Sequence, residues 1–363
     1  MPADTTPSYE YLLEVKGLRT CFFTEAGVVK AVDDVSFRLA EGEVLALVGE
    51  SGCGKTAACL SVMRLVSPPG RIVGGEILFK GQDLLGIPEK NMRALRGSQI
   101  GMVFQEPAAA LNPVFTIGYQ VAESVMIHKG ASRKEALKEA VRMLEEVSMP
   151  DPARRAGEYP HQLSGGMKQR AMIAMALICG PSLLIADEPT TALDVTIQAQ
   201  ILDLLQNLRR KYRLSILLVT HDLGVVAQMA DRVAVMYAGK IVEEAGVGDL
   251  FARPRHPYSV GLMRSIPGTG GKGGGAESGR RRRLHAIDGM VPDLLHLPSG
   301  CHFNPRCPDV MEECHRAAPA LLPLAEPGTP EGGARRVSCF KYKPAPEAPP
   351  PVEGRGWDAA RGR

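Results

Sequence analysis

The chain has 363 residues, 45% of them hydrophobic, with 43 Lys and Arg against 40 Asp and Glu and a formal net charge of +3. That length accommodates two domains, or one large domain with an appendage, and the apolar content is ordinary for a globular core. The near balance of charge gives no argument for a nucleic-acid partner, and eight cysteines over this length do not make a disulfide scaffold.

Residues 1–10 carry Asp4, Glu10 and two prolines without an apolar stretch, so no signal peptide is expected. The longest uncharged apolar run, Ala171 to Ala186, is broken by Gly180-Pro181 and is too short to span a bilayer. A soluble, cytosolic protein is expected, with any membrane role coming through a partner. Tyr11 to Val15 and Val28 to Leu39 read as strands with turn chemistry at Thr24-Glu25-Ala26-Gly27, a meander typical of a small antiparallel side sheet.

Val44 to Val48 is an apolar run that reads as a buried strand. It leads directly into Gly49-Glu50-Ser51-Gly52-Cys53-Gly54-Lys55-Thr56, and helix-forming residues follow to Arg64. The stretch fits the phosphate-cradling pattern G-x-x-x-x-G-K-[ST]. Gly49, Gly52 and Gly54 let the backbone wrap a triphosphate, so that successive amides, Ser51 among them, and the helix N-terminus face the anion. Lys55 is placed to reach the β- and γ-phosphates and the Thr56 hydroxyl to hold Mg²⁺.

Pro68-Pro69-Gly70 ends that helix, Gly75 to Phe79 resumes strand character, and Ile100 to Phe104 is a further strand ending at Gln105. From about residue 107 to 180 the pattern is helical and reads as an inserted subdomain. Ser132 and Glu135 form a capping box, followed by an apolar face of Leu137, Val141 and Leu144 with Ala140 and Val147. Leu183 to Ala186 returns as a strand ending at Asp187-Glu188. A helix with Ile201, Leu204, Leu205 and Leu208 on one face comes next, then a strand from Ser215 to Thr220 stopping at His221-Asp222. Val233 to Tyr237 and Ile241-Val242 read as closing strands. Strands alternating with helices argue for an α/β fold with a mainly parallel core sheet.

Gly49, Gln105, Asp187-Glu188 and His221 each follow a strand, and ligands of open α/β sheets bind beyond the carboxyl ends of the strands. Asp187 has the placement of the acid that orients Mg²⁺, and Glu188 that of a general base for the attacking water. Gln105 is placed to position that water or ligate the metal, and His221 to contact the γ-phosphate. A second anion-binding helix start lies at Leu163-Ser164-Gly165-Gly166-Met167-Lys168-Gln169-Arg170, where Ser164 is a good N-cap and the glycines leave amides open. One nucleotide is already held at Gly49 to Thr56, so this end needs a second ligand or a second molecule.

In that order, the phosphate loop, Gln105, LSGGMKQR, LLIADE, Ala192-Leu193-Asp194 and His221 resemble the ATP-binding-cassette ATPases over about residues 10–260. The resemblance implies that Ser164, Gly165 and Gly166, with Asp194, close over ATP held by another subunit, and that Phe22 stacks on adenine. It also implies ATP-driven dimer closure coupled to a membrane-embedded permease. A cassette ATPase without a membrane partner is the alternative. The short insert between Gln105 and LSGG, with a single cassette, disfavours it.

Beyond His256-Pro257-Tyr258-Ser259 come a glycine-rich linker, Gly268 to Gly279, the basic run Arg280 to Arg283, and four cysteines spaced C-x₅-C-x₆-C-x₂₄-C: Cys301, Cys307, Cys314 and Cys339. Neither close pair is a C-x₂₋₄-C zinc knuckle, and the irregular loop spacing suits an iron–sulfur cluster better. Zinc, two disulfides and four unrelated thiols are the other readings. His-Pro-Tyr, Gly289 to Pro292, and Gly-Cys-x-Phe-x-Pro-Arg-Cys-Pro resemble the C-terminal extension of oligopeptide and dipeptide importer ATPases, a subgroup shared with nickel importers. That resemblance implies a four-iron four-sulfur cluster on the four cysteines. It also implies a second, paralogous ATPase subunit, two permease subunits, an extracytoplasmic substrate-binding protein, and a peripheral place on the cytoplasmic face of a bacterial membrane. The extension is expected over residues 261–343, and the Pro-, Ala- and Glu-rich residues 344–363 are expected to be disordered.

Overall fold

The computed structural model describes residues 9–191, 193–265, 287–324 and 335–342. Ala192, the Gly268–Gly279 linker, the Arg280–Arg283 run and the 344–363 tail lie outside the described residues.

Strands β1 (Leu13–Thr24) and β2 (Gly27–Leu39) pair antiparallel through a hairpin in which Thr24 faces Gly27 and its hydroxyl donates to the Gly27 carbonyl at 2.9 Å. After β3 (Val44–Val48) and helix α1 (Lys55–Val62), strand β4 (Gly70–Phe79) takes the other edge of β1, and the two-residue β5 (Gln82–Asp83) completes this side sheet. Helix α2 (Glu89–Leu95) leads to β6 (Ile100–Val103).

The inserted helices follow: α3 (Pro107–Ala110), α4 (Ile117–Lys129), α5 (Arg133–Glu146), α6 (Pro152–Ala156) and α7 (Gly165–Leu177). The chain returns through β7 (Leu183–Asp187), α8 (Val195–Tyr212), β8 (Ser215–Thr220), α9 (Leu223–Met229), β9 (Arg232–Tyr237) and β10 (Lys240–Gly246). Helices α10 (Val247–Ala252) and α11 (Pro257–Arg264) precede α12 (Glu312–Arg316), β11 (Leu322–Pro323) and β12 (Arg336–Val337).

The core sheet has the order β11-β12-β10-β9-β3-β8-β7-β6, with β9, β3, β8, β7 and β6 parallel. Parallel strands are covered on both faces, which is why β3, β7 and β8 are buried at every position. Alternation still decides which face each residue serves. Val44, Ala46, Val48, Ile216 and Leu218 join the core under the inserted helices, whereas Leu45, Leu47, Leu217 and Val219 join the core under α1 and the side sheet. Truncating Leu217, fully buried between the layers, to alanine would cost about 2–5 kcal/mol.

The capping box forms at α5, with Ser132 and Glu135 each bonding the other's amide. Of the expected face of α5, Ala140, Leu144 and the following Val147 are fully buried. Ala136 is buried as well, and Leu137 and Val141 are only half-buried.

The residues beyond 287 do not form a detached module. Strand β12 pairs with β10, Glu243 facing Val337 and Glu244 facing Arg336, so the extension lengthens the core sheet. Arg336 Nε donates to Glu244 at 3.0 Å. Among the described residues no helix is long and apolar enough to cross a membrane.

Candidate nucleotide site

The phosphate loop is the turn from β3 into α1. Gly54, the residue before the helix, has φ 105°, and a Cβ there would lie 2.0 Å from the Ala31 carbonyl oxygen, so only glycine fits. Lys55 is 5% exposed; its ammonium donates to the carbonyls of Gly49 (2.8 Å) and Glu50 (3.0 Å) and lies 3.7 Å from the Cys53 sulfur. A cation is therefore folded into the mouth of the loop, ready to exchange carbonyl acceptors for phosphate oxygens. Burial pushes the Cys53 and Cys59 thiols up and keeps them protonated, as inert core thiols.

Beside the loop, the Thr56 hydroxyl donates to Asp187 Oδ1 at 3.3 Å. Asp187 ends β7 and is 2% exposed; burial pushes its carboxyl up, and the Thr56 bond opposes that shift. A hydroxyl and a desolvated carboxylate are hard oxygen donors, a set that fits Mg²⁺. Thr56 and Asp187 would hold the ion, which when bound offsets phosphate charge.

Glu188, one residue on, stands in the left-handed region at φ 46° and is 9% exposed. Such a conformation persists only where the surroundings impose it. Here the Glu188 amide donates to the Val219 carbonyl at 2.8 Å, and three groups meet its carboxylate. Gln105 Nε2 donates at 3.0 Å, the Thr191 hydroxyl donates at 2.9 Å, and His221 Nδ1 lies 3.1 Å away. The ends of β6, β7 and β8 thus converge on one carboxylate, beside the loop that leaves β3. Gln105, a candidate for both water and metal, joins the Glu188 side and not the Thr56–Asp187 pair. Asp222 caps α9 by accepting from the Gly224 amide at 2.8 Å, so the helix-start role belongs to Asp222 and leaves His221 free to face Glu188. Thr191 was not among the expected site residues. Its signal is local: a hydroxyl three residues beyond Glu188, with the Thr191 amide donating to the Glu188 carbonyl at 3.2 Å.

A family model described as ABC transporter matches residues 32–191, and one described as oligopeptide/dipeptide transporter, C-terminal region, matches residues 242–314. The oligopeptide transport ATP-binding protein AppD of Bacillus subtilis is 50% identical over 92% of this chain and 97% of its own length. The chain belongs to the ATP-binding-cassette ATPases. Other relatives of the cassette are the oligopeptide transport ATP-binding protein OppD of Salmonella typhimurium, 48% identical over 91% of this chain and 93% of its own. The dipeptide transport ATP-binding protein DppD of Bacillus subtilis is 51% identical over 85% and 90%. Among solved structures, a dimeric post-hydrolysis ATP-binding cassette bound to ADP and phosphate superposes with a TM-score of 0.59 at 27% identity, covering 65% of this chain and 98% of that one. The structure of cbiO1 from Clostridium perfringens gives 0.57 at 26%, covering 70% and 96%.

The cassette's second helix start is built differently. Ser164 caps α7, its hydroxyl accepting from the Met167 amide at 3.4 Å, and Ser164 and Gly165 are exposed. Gly166 packs against Ile197 of α8, whose N-cap Asp194 accepts from the Ile197 amide at 2.9 Å. No hydrogen bond among the described residues joins Ser164, Gly165 or Gly166 to the phosphate loop. Phe22, the expected adenine platform, is half-buried against Gly70. Phe23 is the accessible ring, 45% exposed, with the Arg71 guanidinium 5.6 Å from its centroid.

Cys301, Cys307, Cys314 and Cys339 are free thiols; Cys301 interacts electrostatically with Cys314 and Cys339, and Cys307 with Cys301 and Cys339. The Cys301 amide donates to the Cys314 carbonyl at 2.8 Å, and Asn304 Nδ2 donates to the same oxygen at 3.1 Å. Gly300, with φ 73°, would place a Cβ 2.2 Å from that oxygen, so the approach requires glycine. Burial first, and the neighbouring thiols next, hold Cys301 and Cys339 above the ordinary thiol range; Cys307 is pushed up to about 11. Among the described residues no group of three or more His, Cys, Asp or Glu side chains is drawn tightly enough to hold a metal ion.

Proposed function

We propose that this cassette is the ATP-hydrolysing subunit of a bacterial importer for dipeptides or oligopeptides. One observation carries the reading: an ABC transporter region and an oligopeptide/dipeptide transporter C-terminal region occur in one chain, which is about half identical to oligopeptide and dipeptide transport ATP-binding proteins along nearly their whole length. In this reading Gly49, Ser51, Gly52, Gly54 and Lys55 hold the phosphates. Glu188 accepts the proton of the attacking water, with Gln105 and His221 orienting it, and an aromatic ring at Phe22 or its neighbour meets the base. The exposed Ser164–Gly166 end and Asp194 complete the site of a second ATPase subunit, a paralogue. Two permease subunits and an extracytoplasmic binding protein supply the path and the substrate, and the cassette works at the cytoplasmic face of the membrane.

The test is reconstitution with the permease and binding protein in proteoliposomes. Peptide-stimulated ATP turnover supports the proposal. Stimulation by nickel and not by peptide would shift it to the metal-import branch, and turnover indifferent to any permease would remove it.

We further propose that these four thiols carry a four-iron four-sulfur cluster, which spreads its ligands wider than a single ion does and would tie the Cys301–Cys307 turn to helix α12 and to the Cys339 loop. The all-thiol donor set supports this. Iron and acid-labile sulfide in anaerobically purified protein are the expected result. Stoichiometric zinc, with no absorption in the visible, would remove it.

A further inference from the structure

The second residue of the phosphate loop is held from outside the cassette core. Arg306, its side chain 4% exposed, straddles Glu50, with Nη1 donating to Oε2 at 2.8 Å and Nη2 to Oε1 at 3.2 Å. The Glu50 amide donates to the Tyr258 hydroxyl at 2.9 Å, and its carbonyl accepts from Lys55 at 3.0 Å. Every polar group of Glu50 is thus engaged. Tyr258 is fully buried, with its ring centroid 4.6 Å from Tyr237 and 5.5 Å from Phe303.

Arg306 is in turn set by the cysteine-bearing turn. It ends a one-turn 3-10 helix, Asn304–Arg306, that lies between Cys301 and Cys307; the Asn304 amide donates to the Cys301 carbonyl at 2.9 Å and the Arg306 amide to the Phe303 carbonyl at 3.0 Å. Its Nε donates to the Asp288 carbonyl at 2.9 Å, and Nη1 reaches the Tyr237 hydroxyl at 3.3 Å. A second tie runs alongside. His302 Nδ1 lies 2.7 Å from the Ala238 carbonyl, and the next amide, Gly239, donates to the carbonyl of Cys53 inside the loop at 2.9 Å.

We propose that Arg306 and Tyr258 are positioning residues of the phosphate loop, through which the cysteine-bearing segment sets the cassette's affinity for ATP. The physical reason is preorganisation. A loop with three glycines in eight residues has much backbone freedom to lose when it wraps a triphosphate, and a residue pinned beforehand lowers that ordering cost. Neither residue touches Glu188, Gln105 or His221, so the effect falls on binding and not on the hydrolytic step.

The test measures the ATP dissociation constant of the full chain with Mg²⁺, and turnover at saturating ATP in the assembled transporter. Arg306→Gln is expected to weaken ATP binding by about 5- to 50-fold with saturated turnover little changed. Tyr258→Phe keeps the aromatic packing and loses only the acceptor, so about a 2- to 10-fold weakening is expected. Combining Arg306→Gln with Glu50→Gln should weaken binding no further than the worse single change, because both break one interaction. Additive losses, unchanged affinity in both single variants, or a fall in saturated turnover with affinity intact would each overturn the proposal. If Arg306→Gln fails to fold, Tyr258→Phe decides alone. The proposal rests on the nucleotide reading of the site; wild-type chain that bound no ATP would remove that reading and the proposal with it.

Discussion

Two helices of this cassette start from glycines with their amides turned outward, and they have been given opposite surroundings. At Gly49–Thr56 the loop is braced by its neighbours, with Ser51, Gly52 and Thr56 left exposed. Lys55 is folded into its mouth, Asp187 and Glu188 flank it, and Glu50 is clamped by Arg306 and Tyr258. At Ser164–Gly165 the loop is bare, and the arginine of the same motif, Arg170, bonds the Val147 carbonyl (2.7 Å) and Gln200 (3.1 Å). The backbone chemistry is shared; the walls are not. In the proposed reading, the closed start holds this chain's nucleotide and the open one completes the site of a second subunit.

The comparison can be broken in several ways. The largest effect is expected from Glu188→Gln, which should lower saturated turnover by about 10²–10⁴-fold while ATP still binds, as read by phosphate release beside equilibrium binding. Undiminished turnover would take the base role from Glu188. Gly165→Asp places a carboxylate at the bare helix start and should cost roughly 10²-fold in turnover without altering ATP affinity of the isolated chain. An affinity loss in the isolated chain would show that the two starts are not separate sites.

Thr191→Ala removes one of the three groups on the Glu188 carboxylate, and a drop of about fivefold in turnover at unchanged affinity is expected from one lost hydrogen bond.

The smallest test concerns the wall around the closed loop. His256 is buried, its Nδ1 accepts the Tyr258 amide at 3.1 Å, and burial lowers it from 6.5 to about 3. The folded protein therefore refuses a proton that the unfolded chain accepts. This contribution to stability is complete above pH 6.5 and is lost as pH falls towards 3, by at most about 1.4 kcal/mol per pH unit. His256→Asn keeps a cap oxygen and removes the titration, so its denaturant midpoint should fall less between pH 7 and pH 5 than that of the wild type. Glu243, whose carboxyl burial pushes up and which accepts the His256 amide at 2.8 Å, is present in both proteins, and the difference isolates the imidazole. Equal slopes would mean that His256 takes up its proton in the folded state.

The strand ends were legible because each carries its signal locally. An apolar run of four or five residues is followed at once by Gly49, Gln105 or Asp187, and after one threonine by His221, and the fold only had to bring parallel strands side by side. The stripe of α5 was legible at Ala140, Leu144 and Val147 and not at its edge, because helical periodicity alone does not say that Ala136, and not Leu137 or Val141, is fully buried. Phe22 and Phe23 occupy alternate faces of β1, and no pattern in the sequence says which ring stays accessible. Least legible was the Arg306–Glu50 pair. Nothing near either residue announces the other, and only the return of the chain after residue 287 to the edge of β10 brings them together.

That return has a consequence in time. Glu50 and Arg306 are 256 positions apart along the chain. A ribosome adding roughly 5–20 residues per second needs about 13–50 s between them. Throughout that interval the nascent cassette already carries its lysine, its glycines and, later, Asp187, Glu188 and Tyr258, but Glu50 lacks its guanidinium partner. The oldest motif to leave the ribosome is among the last to be finished.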